Sequence, residues 1–296
     1  MAKLKRAPHF TLTGASTALF STWFFVEELG ILLDAGDGVS ASLRQAAGKI
    51  KHIFVTHADR DHVTGLLQLH QLNARDGKPS IYYPRDSGSF PALKAFVEKF
   101  DPQSGPATWR GLAPGEAVEL AGNLFVRAER SEHVDVSNSV VKALRFIVGS
   151  RKRVLRKQYQ GLSGTEIVEL KKKLGEAELT EEVIENLLGY SGDCPNLDPA
   201  AWTDVRILLH ECTFLEPQTA KRPHASLVQV LEAARSASPG ALVLYHFSSR
   251  YTQQQISSAV TSEANRLALP FPVYAVVPGE LCADILNKEP LWSPAQ

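Results

Sequence analysis

The chain has 296 residues with 32 Lys or Arg and 32 Asp or Glu, so its formal net charge is zero. This balance gives no indication of a polyanionic partner, and any argument for a nucleic-acid contact must come from a local cluster of charge. Hydrophobic residues make up 44% of the chain, but its most apolar N-terminal stretch, residues 17–33, contains Glu27, Glu28 and Gly30 and cannot span a bilayer.

The first half of the chain has the pattern of short strands and turns with a few helices. Strands are predicted where apolar, aromatic and β-branched residues cluster, and helices where apolar residues recur every three or four positions. In chain order, the predicted strands are 19–27, 31–34, 50–56, 81–83, 124–130 and 140–148. The predicted helices are 39–47, 63–75 and 89–100.

The segment at about 150–188 differs from its surroundings and is predicted to be a variable basic and helical insertion. Its basic residues are Arg151, Lys152, Arg153, Arg156 and Lys157. A capping box, Ser163 and Glu166, predicts the start of one short helix, and Thr180 followed by two glutamates predicts the start of another. The basic cluster is consistent either with RNA phosphate contacts or with a solvated surface.

After this segment, strands are predicted at 205–210, 241–246 and 272–277, and helices at 224–237 and 252–267. A strand-rich first half followed by mixed elements predicts an α/β fold with helices on the outer faces of two packed sheets. No repeat or low-complexity linker divides the chain, so we expect a single domain over 1–296.

Four groups able to bind metal follow the apolar run that ends at Val55. They are His57, Asp59, Asp61 and His62. Residues two apart share a side of an extended backbone, so this loop can supply two ligands to each of two adjacent metal ions. A polar loop with capping aspartates is the alternative, but the H-x-D-x-D-H spacing after a buried strand favours a metal site.

A dinuclear site needs further ligands from loops after other strands. His133, Asp193 and His246 occupy such positions. Each is weak evidence by itself, because a histidine at a strand end is often structural and an Asp after Ser-Gly is often a turn residue. Their order along the chain favours a ligand set.

With these motifs together, the chain resembles the metallo-β-lactamase superfamily, with H-x-D-x-D-H where H-x-H-x-D-H is usual. Within it, the chain is similar to the ribonuclease Z family. The narrower match rests on L-L-D-A-G-D-G, which contains Asp34, Y-S-G-D at 190–193, L-L-H-E-C-T-F at 208–214, H-A-S at 224–226 and H-F-S-S-R-Y at 246–251. The resemblance implies an αββα sandwich of two packed mixed sheets, with the site at the sheet edges.

The resemblance also implies two metal sites that share Asp193. The ligands of one would be His57, Asp59, His133 and Asp193, and those of the other Asp61, His62, Asp193 and His246. Asp61 would also orient a metal-activated water or accept its proton. Asp34 would orient the ligand loop, although a turn role before Gly36 is the alternative.

The resemblance assigns three further positions to proton transfer and phosphate binding. Glu211 would hold His224 as the imidazolium, and His224 would protonate the departing 3′ oxygen. His224 packing at a helix start is the alternative. His210 lies next to Glu211 on a strand, where neighbours face opposite sides, and we place it as an orienting residue behind the ligands. Arg250 is a candidate phosphate-binding residue, with a surface ion pair as the alternative.

Two features depart from the family pattern. Asp59 replaces an imidazole with a harder, charged ligand, so zinc is preferred but iron or manganese stays open. The 150–188 segment lacks the Gly-Pro element that grips transfer RNA in ribonuclease Z proteins.

Three functions follow from these observations. The first is a metal-dependent phosphodiesterase that processes the 3′ end of tRNA precursors, with RNA as substrate; the resemblance also implies a homodimer. The second is hydrolysis of a small phosphodiester or cyclic nucleotide, and the third is a metal-binding protein with weakened catalysis. The basic start, Met1 to Arg6, has no apolar signal core after it, and the three cysteines are odd in number and far apart. We therefore expect a cytoplasmic protein with no membrane partner.

Overall fold

Two mixed β-sheets pack face to face in the computed structural model, which describes residues 10–73, 77–218 and 224–294. The first sheet consists, in order, of β1 (Leu12–Thr17), β2 (Ser21–Val26), β3 (Ile31–Leu33), β4 (His52–Phe54), β5 (Ser80–Pro84) and β6 (Thr108–Leu112). The second consists of β7 (Ala117–Glu119), β8 (Leu124–Arg130), β9 (Leu144–Leu155), β10 (Thr180–Tyr190), β11 (Ile207–Glu211), β12 (Ala241–Tyr245) and β13 (Val273–Ala275).

Helices cover the outer faces of both sheets. Those on the first sheet are α1 (Val39–Leu43), α2 (Arg60–Val63), α3 (Leu66–Asn73) and α4 (Ser89–Phe100). The insertion carries α5 (Gly164–Leu174) and α6 (Glu176–Leu179), and the second sheet carries α7 (Leu227–Ala237) and α8 (Gln253–Leu267). No helix in the described ranges combines the length and apolarity needed to cross a membrane.

Alternating side chains divide the apolar residues into three layers. Between the sheets, Phe54 and Phe146 meet edge to face with ring centroids 5.3 Å apart. A second layer lies under α1, α3 and α4, and a third lies under α7 and α8. The predicted αββα sandwich is therefore confirmed. Its driving force is the burial of both faces of each sheet.

Strand direction brings the functional loops to one edge. β3 to β6 are parallel to one another, and so are β10 to β13. β8 and β10 are both antiparallel to β9, so they point the same way. Segments that follow β8, β10, β11 and β12 therefore leave the second sheet at the same edge.

The insertion is an extension of the second sheet. β9 and β10 stay paired from Phe146 and Tyr190 out to Leu155 and Thr180, with α5 and α6 between them. Ser163 starts α5 with the predicted capping box. The helix predicted to start at Thr180 is wrong, because the β-branched residues that follow pair with β9, and a partner strand outweighs a local capping signal.

Other differences concern boundaries and weak strands. The helix predicted over 63–75 is divided into α2 and α3 near Gly65, and its predicted end, Arg75, lies outside the described residues. Gly65 is required because an added Cβ would lie 2.4 Å from the carbonyl oxygen of Gly36. Strands β1, β6 and β7 were not predicted, since their sequences contain glycine or charge rather than an apolar run.

The packing between the sheets predicts a stability difference between two phenylalanines. Phe146 is fully buried, whereas Phe100 is 62% exposed. Phe146→Ala is expected to lower the free energy of unfolding by about 3–5 kcal/mol, because it leaves a cavity between the sheets. Phe100→Ala is the matched control and should change it by less than about 0.5 kcal/mol. Urea unfolding measures both, and equal effects would contradict the assigned core.

Candidate active site

Loops from both sheets deliver the predicted metal ligands to one point. His57 and Asp59 lie in the loop after β4, and Asp61 and His62 lie on the short helix α2 that follows, so the first sheet carries four of the predicted ligands. The segments after β8, β10 and β12 carry the other three: His133, Asp193 and His246. The structure brings all seven together, and their possible ligand atoms form overlapping groups within 4.8 Å of one another.

We call the first group half-site A: His57, Asp59, His133 and the Oδ2 atom of Asp193. The Nε2 atom of His57 lies 3.7 Å from Asp59 Oδ2 and 3.7 Å from Asp193 Oδ2. His133 Nε2 lies 3.5 Å from Asp59 Oδ2 and 3.9 Å from Asp193 Oδ2. Asp59 is half-exposed, so half-site A opens to solvent on that side.

We call the second group half-site B: Asp61, His62, His246 and the Oδ1 atom of Asp193. The Nε2 atom of His62 lies 3.6 Å from Asp61 Oδ2 and 3.3 Å from Asp193 Oδ1. His246 Nε2 lies 3.3 Å from Asp61 Oδ2 and 3.4 Å from Asp193 Oδ1. Each half-site thus has two imidazoles and two carboxylates, and the two oxygens of Asp193 belong to different half-sites.

These separations fit bound divalent ions. Ligand atoms held about 2.0 Å from a tetrahedral zinc ion lie about 3.3 Å apart, near the short end of the observed distances. The buried atoms His57 Nε2, His62 Nε2 and Asp193 Oδ1 make no hydrogen bond within the described chain. Buried polar atoms without partners are costly, so a cation between them would satisfy all three. The donor set fits two divalent metal ions.

Hydrogen bonds at Nδ1 orient three of the imidazoles. His57 Nδ1 lies 2.9 Å from Thr56 Oγ1, and His246 Nδ1 lies 2.9 Å from Thr213 Oγ1. His62 Nδ1 lies 2.7 Å from Asp34 Oδ2. Each contact leaves Nε2 to face the centre, as second-layer partners of metal-binding histidines do. Sequence reasoning missed both threonines, although each is next to or within a recognised motif.

Asp34 connects the ligand loop to the opposite sheet. Its carboxylate is fully buried and accepts a hydrogen bond from the Thr56 backbone N–H at 2.7 Å. The Tyr190 hydroxyl, which comes from β10, donates to Asp34 Oδ2 at 2.6 Å. Sequence reasoning placed Asp34 behind the ligands but assigned nothing to the Tyr190 hydroxyl. The position of Tyr190 in the Y-S-G-D motif could have indicated a role at the site.

The buried carboxylates and imidazoles of the cluster shift one another's pKa values. Burial opposes the charged form of Asp193, but the charges of His246 and His62 hold its pKa well below the usual range. Burial likewise opposes a charged His62, yet Asp193 and Asp34 raise its pKa well above the usual value. Burial and the neighbouring His62 lower the pKa of His57 to about 3, so His57 is a neutral ligand.

Glu211 and His224 form an ion pair beside half-site A. His224 Nδ1 lies 3.0 Å from Glu211 Oε1, and that oxygen also accepts from the backbone N–H groups of Cys194 and Ala225 at 3.2 Å each. Burial opposes the charged form of each, but the His224 bond lowers the pKa of Glu211, and Glu211 raises the pKa of His224 to about 9. The ion pair involves Nδ1 of the protonated His224 ring, and Nε2 lies outside the pair.

Two predicted site residues lie away from the ligand cluster. His210 lies on the outer face of β11, opposite Glu211, and its Nδ1 contacts the Glu211 carbonyl oxygen at 2.8 Å. The structure therefore does not bring His210 to the ligands, because β11 does not bend there. Arg250 is exposed, donates to Ser248 Oγ at 3.1 Å and lies 5.4 Å from the Phe214 ring centre. The Phe214 ring is itself 6.4 Å from His224, so Arg250 lies at the rim.

Comparisons with known proteins show the family and the fold. Residues 30–155 match the family described as beta-lactamase superfamily domain. The ribonuclease Z of Pyrobaculum arsenaticum is 31% identical over 244 residues, which cover 76% of this chain and 78% of the relative. The chloroplastic tRNase Z TRZ2 of Arabidopsis thaliana is 28% identical, covering 85% and 71%. The crystal structure of the short form of human tRNase Z superposes with a TM-score of 0.59 at 17% identity, covering 92% and 98%, and shows the same fold.

The shared carboxylate predicts the metal content of variants. Metal-stripped protein is expected to take up two divalent ions per chain, and His246→Ala is expected to keep about one, because half-site B loses an imidazole. His52→Ala, at the opposite end of β4, is the control and should keep two. Elemental analysis after dialysis measures the stoichiometry. Fewer than one ion in the unmodified protein, or the same loss in both variants, would contradict the assignment.

Proposed function

We propose that this chain, which belongs to the ribonuclease Z family of the metallo-β-lactamase superfamily, cleaves tRNA precursors at their 3′ side. It is a metal-dependent phosphodiesterase of the ribonuclease Z type. The observation that carries this proposal is that the two half-sites, suited to metal ions, lie beside the Glu211–His224 ion pair, a group suited to protonate a leaving group.

The metal ligands we propose are the seven residues of half-sites A and B. When bound there, two divalent ions lower the pKa of a water and offset negative charge on a phosphoryl oxygen. Burial opposes the charged form of Asp61, but the His246 contact lowers its pKa to about 2, so its carboxylate stays ionised. We assign Asp61 to orient the attacking water and accept its proton.

His224 is the proposed general acid. Its Nδ1 is bound to Glu211, so Nε2 is the atom that donates a proton to the departing 3′ oxygen. Glu211 is fully buried and is held by Thr213 Oγ1, which donates at 2.8 Å, as well as by backbone N–H groups. This network fixes the tautomer and orientation of His224. Arg250 at the rim is proposed to bind a substrate phosphate.

The insertion is proposed to contact RNA phosphates outside the site. Arg151 and Lys152 form ion pairs with Glu119 and Glu185, so their charges are partly neutralised. Arg156 and Lys157 are exposed at the outer end of the insertion and have no carboxylate partner within the described residues. They are the basic residues best placed to bind a polyanion.

The donor set of the half-sites bears on the identity of the metal. Zinc is proposed first, with iron or manganese as alternatives because Asp59 adds a hard, charged ligand to half-site A.

We propose one domain over 1–296 with 150–188 as its variable insertion, since β9 and β10 continue from the second sheet. A homodimer is proposed from family resemblance, and sedimentation measures it. Three free, buried cysteines support a reducing compartment such as the cytoplasm.

Hydrolysis of small phosphodiesters is the second candidate. The 150–188 segment has no Gly-Pro element. This absence favours a small substrate, which can bind without the contacts that hold transfer RNA. Metal-stripped protein with defined metals added back, assayed on a tRNA precursor and on bis(p-nitrophenyl) phosphate, separates the two functions. Precursor cleavage supports the first, and turnover of the small diester alone supports the second.

Asp61→Ala is expected to lower turnover of both substrates at least about 100-fold, because it removes the water-orienting carboxylate and a ligand of half-site B. Circular dichroism and the unfolding midpoint should show a retained fold. Glu98→Ala, on the surface of α4, is the control and should keep full activity. Undiminished turnover by Asp61→Ala would refute the assigned mechanism.

His224→Ala is expected to separate the two substrates. Precursor cleavage should fall about 10²- to 10⁴-fold, because the departing 3′ oxygen needs a proton. Hydrolysis of bis(p-nitrophenyl) phosphate should fall much less, because p-nitrophenolate is a stable anion and leaves without one. His52→Ala should change neither rate. Steady-state kinetics measure both, and equal losses on the two substrates would remove His224 as the acid.

A further inference from the structure

The turn between β1 and β2 carries two of the most exposed large apolar side chains among the described residues. Leu19 is 86% exposed and Phe20 is 64% exposed. Leu12 at the other end of the same hairpin is fully buried, so the exposure belongs to the turn and not to the strands. We call Leu19 and Phe20 the hairpin tip.

The backbone of the hairpin tip contacts the candidate metal centre. The Leu19 backbone N–H donates to Asp61 Oδ2 at 3.0 Å. The Ala18 backbone N–H donates to the carbonyl oxygen of Phe247 at 3.2 Å, and the His246 backbone N–H donates to Ser16 Oγ at 3.0 Å. The turn is therefore bound to both loops that supply half-site B, one from each sheet.

The same contacts fix the conformation of the turn. Phe20 N–H donates to the Thr17 carbonyl oxygen at 3.0 Å, and Thr17 Oγ1 accepts from the Gly279 N–H at 2.9 Å. Leu19 has a φ of 72°, in the left-handed region that a leucine rarely adopts. That conformation aims its N–H at Asp61. The two apolar side chains thus lie in solvent on a constrained backbone that contacts the candidate ligand Asp61.

We infer that Phe20, supported by Leu19, stacks on an unpaired nucleobase next to the scissile phosphate. The inference rests on the proposed function, because it needs a phosphate bound between the half-sites. A phosphodiester held there has a nucleoside on each side, at the level of the rim. An aromatic ring fixed at the rim offers a flat apolar face, and stacking on single-stranded bases is tolerant of sequence.

The chemistry of the hairpin tip favours a base over the other parts of an RNA. A ribose or phosphate would require donors or acceptors, and the side chains of Leu19 and Phe20 have none. Because the Leu19 N–H binds Asp61, a base stacked on the tip also restrains the carboxylate that orients the water. Phe20 is therefore a binding residue for an unpaired base of any identity beside the cleavage point, next to the Leu19 N–H that contacts Asp61.

A double-mutant cycle between protein and RNA tests the inference. The substrates are one precursor with its natural bases and two others, each with an abasic nucleotide on one side of the cleavage point. In the unmodified protein, loss of the stacked base should lower kcat/KM about fivefold or more. In Phe20→Ala, kcat/KM for the natural precursor should already be reduced by that factor. Removing the base from the precursor should then lower kcat/KM of this variant no further. Phe20→Trp should keep the discrimination.

Phe100→Ala is the matched control, because Phe100 is as exposed as Phe20 but lies on α4. It should retain the unmodified kinetics. If Phe20→Ala still distinguishes the natural from the abasic precursors by the full factor, the inference is overturned. Equal kcat/KM for all three precursors in the unmodified protein would overturn it as well.

A binding measurement separates this inference from the proposed function. A single-stranded RNA with 2-aminopurine at the position beside the cleavage point should lose fluorescence on binding to the metal-loaded His224→Ala protein, which cleaves slowly. Adding Phe20→Ala should abolish the quenching and weaken binding about fivefold or more. Quenching that depends on Phe20, without precursor cleavage by the unmodified protein, would support the stacking surface and refute the tRNA-processing function. Absence of quenching in the His224→Ala protein would refute the stacking surface.

Discussion

One carboxylate, that of Asp193, sets the geometry of the whole centre. Its two oxygens face different imidazole pairs, His62 and His246 on one side and His57 and His133 on the other. For this to happen, a loop of the first sheet must meet three loops of the second within a few ångström. The face-to-face packing of the sheets, with Phe54 against Phe146 behind the site, holds those loops in position.

Two other buried carboxylates carry the support outward from Asp193. Asp34 links His62 and the Thr56 backbone to the Tyr190 hydroxyl, and so joins the first sheet to the second. Glu211 holds His224 through an ion pair. It also accepts a hydrogen bond from Thr213, whose hydroxyl contacts and orients His246. Hydrogen bonds to charged groups contribute about 1.5–3 kcal/mol each, and a buried charge without partners costs more. The network therefore favours one arrangement of the ligand loops.

Three groups around the centre are proposed to recognise the substrate. In this proposal His224 and the rim residue Arg250 meet the reacting phosphate, the hairpin tip meets a neighbouring base, and the insertion extends exposed basic residues away from the site. These groups lie on a turn, on loops and on a hairpin. The sheets beneath them supply the fixed metal chemistry common to the fold.

By itself, the sequence predicted the sandwich architecture and a candidate set of metal ligands. Apolar runs ending in polar segments mark buried strands, and the H-x-D-x-D-H spacing places four candidate ligands close together after β4. Local patterns could not determine which distant groups would meet. Four features depend on pairing between segments far apart in the chain. They are the hydrogen bond from Tyr190 to Asp34, the contact of Thr213 with His246, the outward position of His210 and the strand that begins at Thr180. The contact of the hairpin tip with Asp61 has the same origin, because the pairing of β2, β3 and β4 within the first sheet brings residue 19 to residue 61.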